Sequence, residues 1–308
     1  FVTCPLSAMA ALVRRPWRSP LPGCLRLGSA RRLARRRGER RDSEPIVAER
    51  ASFRDLLADE ATPYDHEAHA QILRLGLSGR RSPKAAASRA RGEGEGEFIG
   101  GGLEGEWPPN DLPEVAIVGQ SNCGKSSLLN ALMGSVTGVG TAGVSARAGW
   151  TAQLNFYRVS ADYYGQRRPW FVLVDMPGYG HAVADRAVRQ RWRRAISSYL
   201  RDRPQLLSLL LLVDCERGLQ ADDRDFVRRL EARGTHYDVV LTRCDALEPV
   251  ELARSHALVT AALEEMGSRS AADVPFTSAA TGAGVRELWR RLLIGVNEYV
   301  HGEPHEAD

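Results

Sequence analysis

The sequence lacks the features that mark membrane-spanning, disulfide-bonded and zinc-binding proteins. Its most apolar run, LLSLLLLV at residues 206–213, is eight residues long, whereas a membrane-spanning helix needs about 20. The five cysteines are scattered, with no CxxC pair among them, which argues against a disulfide framework and against a zinc site. We therefore predict no membrane span, and the apolar run is typical of a buried parallel strand.

Acidic residues are nearly missing from the first 41 positions, which hold eleven arginines and a single acid, Glu39. This segment carries a net charge of +10 within a whole-chain net charge of +4, so the remaining residues carry −6. The rest of the chain is therefore mildly acidic and does not indicate a domain that coats nucleic acid. Any RNA contact by that part would need a local basic patch.

The arginine-rich segment 1–41 is typical of an organelle transit peptide, because it is rich in Arg, Ala, Leu and Ser and has no secretory apolar core. We expect the mitochondrion as its destination and the plastid as second choice, with a cytoplasmic location if the segment is not a targeting signal. The alternative is a basic arm that binds RNA or has no role.

Residues 42–95 predict a poorly ordered extension and linker. The stretch 80–110 is dominated by Gly, Glu and Ser, which leaves little to pack and favours a flexible connection. A helix is predicted around residues 66–75, but the sequence assigns no role to it.

From residue 113 onward, apolar strand-like runs alternate with helical patterns, which predicts a three-layer α/β domain with a mostly parallel sheet and helices on both faces. The predicted strands are 115–119, 154–159, 170–175, 206–214, 237–242 and 274–279. The predicted helices begin near 126 and cover about 186–200, 222–233, 249–266 and 285–300. Ligands of such sheets bind beyond the carboxyl ends of the strands.

A phosphate-binding loop is predicted at GQSNCGKS, residues 119–126, which fits G-x-x-x-x-G-K-[ST] between a strand and a helix. Gly119 and Gly124 let the backbone N–H groups converge on a phosphate at a helix N-terminus. Lys125 supplies charge to the β- and γ-phosphates, and the Ser126 hydroxyl is a ligand for Mg²⁺. The predicted nucleotide-binding residues here are Gly119, Gln120, Ser121, Asn122, Cys123, Gly124, Lys125, Ser126 and Ser127.

Two further motifs follow predicted strands. In DMPG, the Asp175 carboxylate is placed to hold Mg²⁺, usually through water, and the Gly178 amide to meet the γ-phosphate. In TRCD, the Asp245 carboxylate is a natural acceptor for the N1–H and exocyclic amine of guanine, and such a site rejects the wrong base by about 10⁴-fold. The predicted base-site residues are Thr242, Arg243, Asp245, Thr277, Ser278 and Ala279.

With these motifs in place, residues 112 to about 300 resemble the EngB (YihA) family of GTPases, within the TrmE-Era-EngA group. LPEVAIVGQSNCGKSSLLNAL at 112–132 is similar to the opening of that family, and VDMPGYGHA at 174–182 is similar to its DLPGYGYA signature. VLTRCD at 240–245 stands where the family has VLTKAD. The resemblance implies a P-loop GTPase of the Ras-like fold that acts in assembly of the large ribosomal subunit, here the subunit of an organelle.

The resemblance also assigns a switch loop, in which Thr151 would join Mg²⁺ through its hydroxyl and touch the γ-phosphate through its amide. Trp150 stands where the family has a basic residue and Ala148 where it has proline. These changes affect expected partner contacts of the loop, although Trp150 could equally be a packing residue. Lys125, Thr151 and Gly178 are the predicted catalytic residues, and Ser126, Thr151 and Asp175 the predicted metal ligands.

Hydrolysis is expected to be slow, on the order of 10⁻⁴ to 10⁻² s⁻¹, because Tyr179 stands where Ras-type switches have a water-orienting glutamine. Asn122 lies where related GTPases coordinate K⁺, so K⁺ activation is a hypothesis. The alternatives are a GTP-dependent tether with negligible hydrolysis and an ATP-dependent enzyme, which Asp245 disfavours. Cys123 is either an inert filler or an acidified thiol at a helix start.

The predicted organisation is a transit peptide at 1–41, the extension and linker at 42–95, an EngB-type GTPase domain at 96–301 and a tail at 302–308. The expected partners are GTP or GDP and the large ribosomal subunit or its rRNA, with Mg²⁺ as cofactor and possible K⁺ near Asn122. We expect a monomer.

Overall fold

The structure, a computed structural model, describes residues 52–77, 94–103, 105–137, 153–163, 166–179 and 186–301. The predicted leader at 1–41, the tail at 302–308 and the switch residues Ala148, Trp150 and Thr151 lie outside the described residues. No helix in the described part of the chain is both long enough and apolar enough to cross a membrane.

One mixed sheet organises the described part of the chain. Its strands are β1 (Gly94–Gly102), β2 (Glu114–Gly119), β3 (Ser135–Thr137), β4 (Leu154–Tyr163), β5 (Gln166–Asp175), β6 (Leu206–Asp214) and β7 (Tyr237–Thr242). They lie in the order β3-β1-β4-β5-β2-β6-β7. β4 runs antiparallel to both of its neighbours, and the other four pairings are parallel. The predicted mostly parallel sheet is confirmed.

Helices cover both faces of this sheet. They are α1 (Phe53–Ala58), α2 (His66–Arg74), α3 (Lys125–Met133), α4 (Arg186–Asp202), α5 (Ala221–Arg233), α6 (Pro249–Glu265) and α7 (Val285–His301). Because side chains alternate along a strand, Ala116 and Val118 of β2 enter one core with α1, α2, α4, α5 and α6, while Val115 and Ile117 enter a second core with α3 and α7. The predicted three-layer arrangement follows from this alternation.

Residues 52–77, the described part of the extension upstream of the domain, differ from the expectation of poor order. α2 confirms the predicted helix, and its N-cap Asp65 accepts a 2.9 Å hydrogen bond from the Ala68 amide. Leu57 and Ile72 are fully buried, and Arg254 of α6 donates a 2.9 Å hydrogen bond to the Leu57 carbonyl. The sequence did not reveal this packing because both helices are short and their partner is distant in the sequence, with Arg254 lying 197 residues after Leu57.

The expected linker at 80–110 is also different, because β1 joins the sheet within it and begins before the expected domain boundary at 96. β1 pairs with β4 from Gly94 opposite Ala161 to Gly102 opposite Leu154. Glycine is disfavoured in strands, but here space requires it, since a Cβ on Gly96 would lie 2.5 Å from the Met133 sulfur. The backbone pairing with β4 therefore forms a strand, although the glycine-rich composition of this segment disfavours one.

The predicted strand at 274–279 is wrong, because only an isolated bridge joins Phe276 to Leu241. The Leu241 amide donates to the Pro275 carbonyl at 2.9 Å and the Thr277 amide donates to the Leu241 carbonyl at 2.7 Å. Beyond these two bonds, Pro275 has no N–H to donate and the Ser278 amide donates instead to the Ala283 carbonyl at 2.9 Å. The pairing therefore ends after one residue.

Candidate functional site

The phosphate-binding loop lies between β2 and α3, as predicted. Gly124 caps α3 with φ of 90°, a conformation that favours glycine. A Cβ on Gly119 would lie 2.7 Å from both the Cys123 sulfur and the Leu212 carbonyl oxygen. Asn122 also has a positive φ, of 68°, which asparagine tolerates better than most residues. The loop is therefore closely packed on β6 at Gly119.

Cys123 is the inward-facing residue of this loop. Only 2% of the residue is exposed, and burial raises the pKa of its thiol to about 11, although Lys125 acts in the opposite direction. A thiol with this pKa is protonated at neutral pH. The structure thus favours the inert filler over an acidified, reactive cysteine.

Lys125 and Asp175 form an ion pair at the centre of the site. Lys125 is the first residue of α3. Asp175 is the last residue of β5 and is 3% exposed. Burial raises the pKa of the Asp175 carboxyl, and the charge of Lys125 and a hydrogen bond from Asn155 on the neighbouring strand oppose this shift. Ser126 is half-buried beside Lys125 and Ser127 is exposed.

The DMPG turn is attached to the phosphate-binding loop by backbone contacts. The Ser121 amide donates to the Tyr179 carbonyl at 2.9 Å, and the Tyr179 amide donates to the Gly119 carbonyl at 3.2 Å. A Cβ on Gly178 would lie 3.2 Å from the Ser121 Oγ, so the turn approaches the loop closely at this glycine. The two motifs predicted to contact the phosphates are therefore adjacent.

Tyr179 turns its side chain toward α5. Its hydroxyl donates a 2.5 Å hydrogen bond to Asp223 of α5, and its ring lies 5.6 Å from Trp192 and 5.7 Å from Phe226. Burial raises the pKa of the Asp223 carboxyl, although this hydrogen bond lowers it. The role of Asp223 is not evident from the sequence, because an acid in the first turn of a helix is common for other reasons.

The base-site loop, TRCD at residues 242–245, packs directly on the phosphate-binding loop. Thr242 is buried at the end of β7, and its hydroxyl lies 2.6 Å from the Cys123 carbonyl oxygen, to which it donates. Beyond it, Asp245 accepts a 2.6 Å hydrogen bond from the Ser278 hydroxyl. The Cys244 amide donates to the Thr277 carbonyl at 3.1 Å. TRCD and TSA thus meet, and Ala279 follows as a half-buried residue.

Arg243 is held by two acids that the sequence analysis did not identify. Its guanidinium donates to Asp214 at 2.6 Å and to Glu216 at 3.1 Å. Arg243 has a φ of 57°, and a Cβ on Gly124 would lie 3.4 Å from the Arg243 Cγ. The aliphatic stem therefore lies against the phosphate-binding loop. The only signal in the sequence was the position of the two acids, Asp214 at the end of β6 and Glu216 just beyond it.

The structure brings the predicted site residues together at the carboxyl ends of β2, β5 and β7, with Thr151 alone outside the described residues. A phosphate-binding loop with a lysine, a strand-ending aspartate and a second aspartate near the loop define a P-loop GTPase. The second aspartate, Asp245, separates GTPases from ATP-dependent P-loop proteins. Guanine presents two hydrogen-bond donors to a carboxylate, N1–H and the exocyclic amine, and adenine does not present this pair.

Comparison with known proteins agrees with this class. A family model described as "50S ribosome-binding GTPase" matches residues 114–243. The "Probable GTP-binding protein EngB" of Rhodospirillum rubrum is 40% identical over 187 residues, which are 60% of this chain and 77% of the relative. The protein of the same name from Gluconobacter oxydans is 39% identical over 199 residues, 63% of this chain and 81% of the relative. The chain belongs to the EngB family of GTPases.

A solved structure titled "Crystal structure of a probable GTP-binding protein engB" is also similar to this chain. It is 20% identical, with a TM-score of 0.42, and the match covers 60% of this chain and 99% of that one.

Proposed function

We propose that this protein is a GTP-hydrolysing switch that assists assembly of the large ribosomal subunit in an organelle. The observation that carries GTP binding is the 2.6 Å hydrogen bond between the Thr242 hydroxyl and the Cys123 carbonyl. This bond fixes the base-site loop against the phosphate-binding loop, so that one nucleotide can reach Lys125 and Asp245 together.

At the phosphate end, Lys125 would direct its charge to the β- and γ-phosphates, and the Gly178 amide would donate to the γ-phosphate. The oxygen donors Ser126 and Asp175 suit Mg²⁺, a cation that prefers oxygen ligands, and the buried Asp175 carboxylate already lies against the positive charge of Lys125. We propose that these two residues hold Mg²⁺ with Thr151. The ion would neutralise charge that develops on the phosphates during transfer.

At the base end, Asp245 would accept the two guanine donors, and the hydrogen bond from Ser278 orients its carboxylate. The Ala279 amide would meet the guanine carbonyl, because the Thr277 and Ser278 amides already donate to the carbonyls of Leu241 and Ala283. Tyr179 is turned toward Asp223, so no side chain at this position orients the attacking water. Slow intrinsic hydrolysis follows, and we propose that K⁺ bound near Asn122 accelerates it. Equal single-turnover rates in KCl and NaCl would remove the K⁺ proposal.

The ribosomal partner is supported by the family model, whose description names the 50S ribosome. We propose the large subunit or its rRNA as the partner of a monomeric protein, and the arginine-rich segment 1–41 as a mitochondrial targeting signal, with the plastid as the second destination. Import of a fluorescent protein fused to residues 1–41 tests the targeting step separately from the GTPase.

The base site is tested by Asp245→Asn, which replaces an acceptor by a donor. We expect the variant to lose preference for GTP over XTP by at least about 10²-fold, because xanthine presents an acceptor where guanine presents its exocyclic amine. Nucleotide affinities are measured by equilibrium titration, with Asp238→Asn on β7, the strand that precedes Asp245, as the control. An unchanged preference for GTP would contradict the assignment of the base site.

The ribosomal role is tested by sedimenting the full chain with organelle ribosomes on a density gradient. Co-migration with the large subunit in a non-hydrolysable GTP analogue, lost in GDP, is the expected result. Phosphate release with and without large subunits distinguishes the switch from a tether that does not hydrolyse GTP.

A further inference from the structure

The surface of α4 concentrates positive charge in an otherwise acidic domain. The helix begins RAVRQRWRR, with five arginines in nine residues, and Asp202 at its end is its first acid. Arg191, Arg193 and Arg194 are exposed. The neighbouring helix α5, ADDRDFVRRLEAR, balances four arginines with four acids. The charge of α4 is therefore specific to this helix and does not reflect a generally basic surface.

This charge is not neutralised within the described part of the chain, where no carboxylate forms an ion pair with Arg191, Arg193 or Arg194. The first turn of α4 contains no acid. Like charges three residues apart on a helix repel each other, as the charges of Arg191 and Arg194 do. Clustering arginine here costs stability, which an anionic partner would offset.

The opposite face of α4 is joined to the DMPG turn. Trp192 lies between the exposed Arg191 and Arg193, and its indole N–H donates a 2.9 Å hydrogen bond to the carbonyl of Pro177. Pro177 directly precedes Gly178, and the Trp192 ring also packs on Tyr179. A movement of the turn on loss of the γ-phosphate would therefore be transmitted to the arginines through Trp192.

We propose that Arg191, Arg193 and Arg194 bind the phosphate backbone of the large-subunit rRNA, and that Trp192 makes this binding depend on the bound nucleotide. The proposal rests on the ribosomal role proposed above and names the surface that carries it. Guanidinium groups bind phosphate through paired hydrogen bonds.

An acidic protein is the less suitable partner for this surface. The centre of an interface between proteins is depleted of charged side chains and enriched in apolar and aromatic ones, and none of the described residues of α4 is among the exposed large hydrophobic residues. Binding to a polyanion such as RNA can instead be driven by phosphate charge alone. In the part of α4 whose side chains the structure describes, the face offers charge and no apolar anchor, which is the combination expected for an RNA backbone.

The test uses the full chain carrying Arg191→Glu, Arg193→Glu and Arg194→Glu. A matched control reverses three exposed arginines of α5 in the same way, Arg228→Glu, Arg229→Glu and Arg233→Glu, and so changes the net charge equally. Segment 1–41 is present in every protein, so its contribution to RNA binding is common to all. Retained guanine-nucleotide binding shows that each variant is folded.

Binding to purified organelle large subunits and to their protein-free rRNA is measured in a GTP analogue over a range of salt concentrations. We expect the α4 variant to bind both at least about ten-fold more weakly, with a salt slope smaller by about two, because three phosphate contacts are lost. The α5 variant should stay within about two-fold of wild type. Trp192→Phe should bind rRNA but lose about five-fold of the preference for the GTP form, as one hydrogen bond is removed.

Other results overturn the proposal at distinct points. If wild type binds GTP but no large subunit, the ribosomal role fails and this inference with it. If wild type binds the subunit and the α4 variant binds equally well, only the arginine surface is wrong. If the α4 variant loses the subunit while both proteins bind protein-free rRNA equally, the partner is a ribosomal protein. An unchanged nucleotide preference in Trp192→Phe overturns the coupling.

Discussion

Replacing Tyr179 by phenylalanine tests whether this residue is a structural anchor or a catalytic group. The change removes the hydroxyl that donates a 2.5 Å hydrogen bond to Asp223 and leaves the ring contacts to Trp192 and Phe226 in place. A hydrogen bond to a charged group contributes about 1.5–3 kcal/mol. Asp223 keeps the 2.8 Å bond from the Gln220 amide and a longer one of 3.4 Å from the Gln120 side chain.

We therefore expect the free energy of unfolding to fall by about 2 kcal/mol, which lowers the Tm of a domain of this size by about 4–8 °C. Single-turnover GTP hydrolysis should stay within about three-fold of wild type, a change below about 0.7 kcal/mol in transition-state stabilisation. The DMPG turn keeps its backbone bonds to the phosphate-binding loop, so the Gly178 amide stays in position.

The control is Tyr237→Phe, which removes another buried hydroxyl bonded to a carboxylate, that of Glu231 at 2.7 Å, away from the nucleotide site. Urea unfolding and hydrolysis are measured on both variants. A Tyr179→Phe protein that hydrolyses GTP at least about ten-fold more slowly without loss of stability would refute the anchor and restore a direct role in catalysis.

Three further outcomes are expected. Thr242→Val should weaken GDP binding by about 5- to 30-fold, because it leaves the buried Cys123 carbonyl without its partner at a cost of about 1–2 kcal/mol. Thr242→Ser keeps the hydroxyl and should bind GDP normally. Equal affinities of the two variants in a fluorescent-nucleotide titration would contradict this. Leu57→Ala should lower the free energy of unfolding by about 2–5 kcal/mol, and Leu73→Ala, at an exposed position, by less than about 0.5 kcal/mol. The pKa of Asp223 is raised in the folded protein, so folding favours the protonated carboxyl. This contribution to the free energy of unfolding is fully present below the ordinary pKa of 3.8 and is lost as pH rises through the pKa of the folded state. The difference in unfolding free energy between wild type and Asp223→Asn should therefore fall as pH rises from 4 and then level off, as urea unfolding at each pH will show.

Local pattern was sufficient for the elements that carry their own signal. The strands ending at Gly119, Asp175, Asp214 and Thr242 end at the predicted residues, because each is a buried apolar run that stops at a polar or glycine residue. Parallel strands bring such ends to one edge of a sheet, which is why the nucleotide-binding motifs could be associated from the sequence. The helices of the domain also begin within about one residue of their predicted starts, at caps and amphipathic patterns.

Contacts between distant residues could not be inferred in this way. Tyr179 turns to Asp223, 44 residues later, and Arg243 to Asp214, 29 residues earlier, and neither pairing has a local pattern. The packing of α1 and α2 on α6 also has no local pattern in the sequence. The same holds for the pairing of the glycine-rich strand β1 with β4.

The sequence alone therefore determined the residues proposed to carry the chemistry of this protein: a lysine in a glycine-framed loop, an aspartate proposed to hold the metal and another proposed to bind guanine, each placed by the end of a strand. Only the tertiary structure decided that Tyr179 is an anchor, that acids restrain Arg243, and that α4 joins the DMPG turn to an arginine-bearing surface. The physical reason is that strand ends and loops are encoded by neighbouring residues, while ion pairs and buried hydrogen bonds depend on which distant surfaces the fold brings into contact.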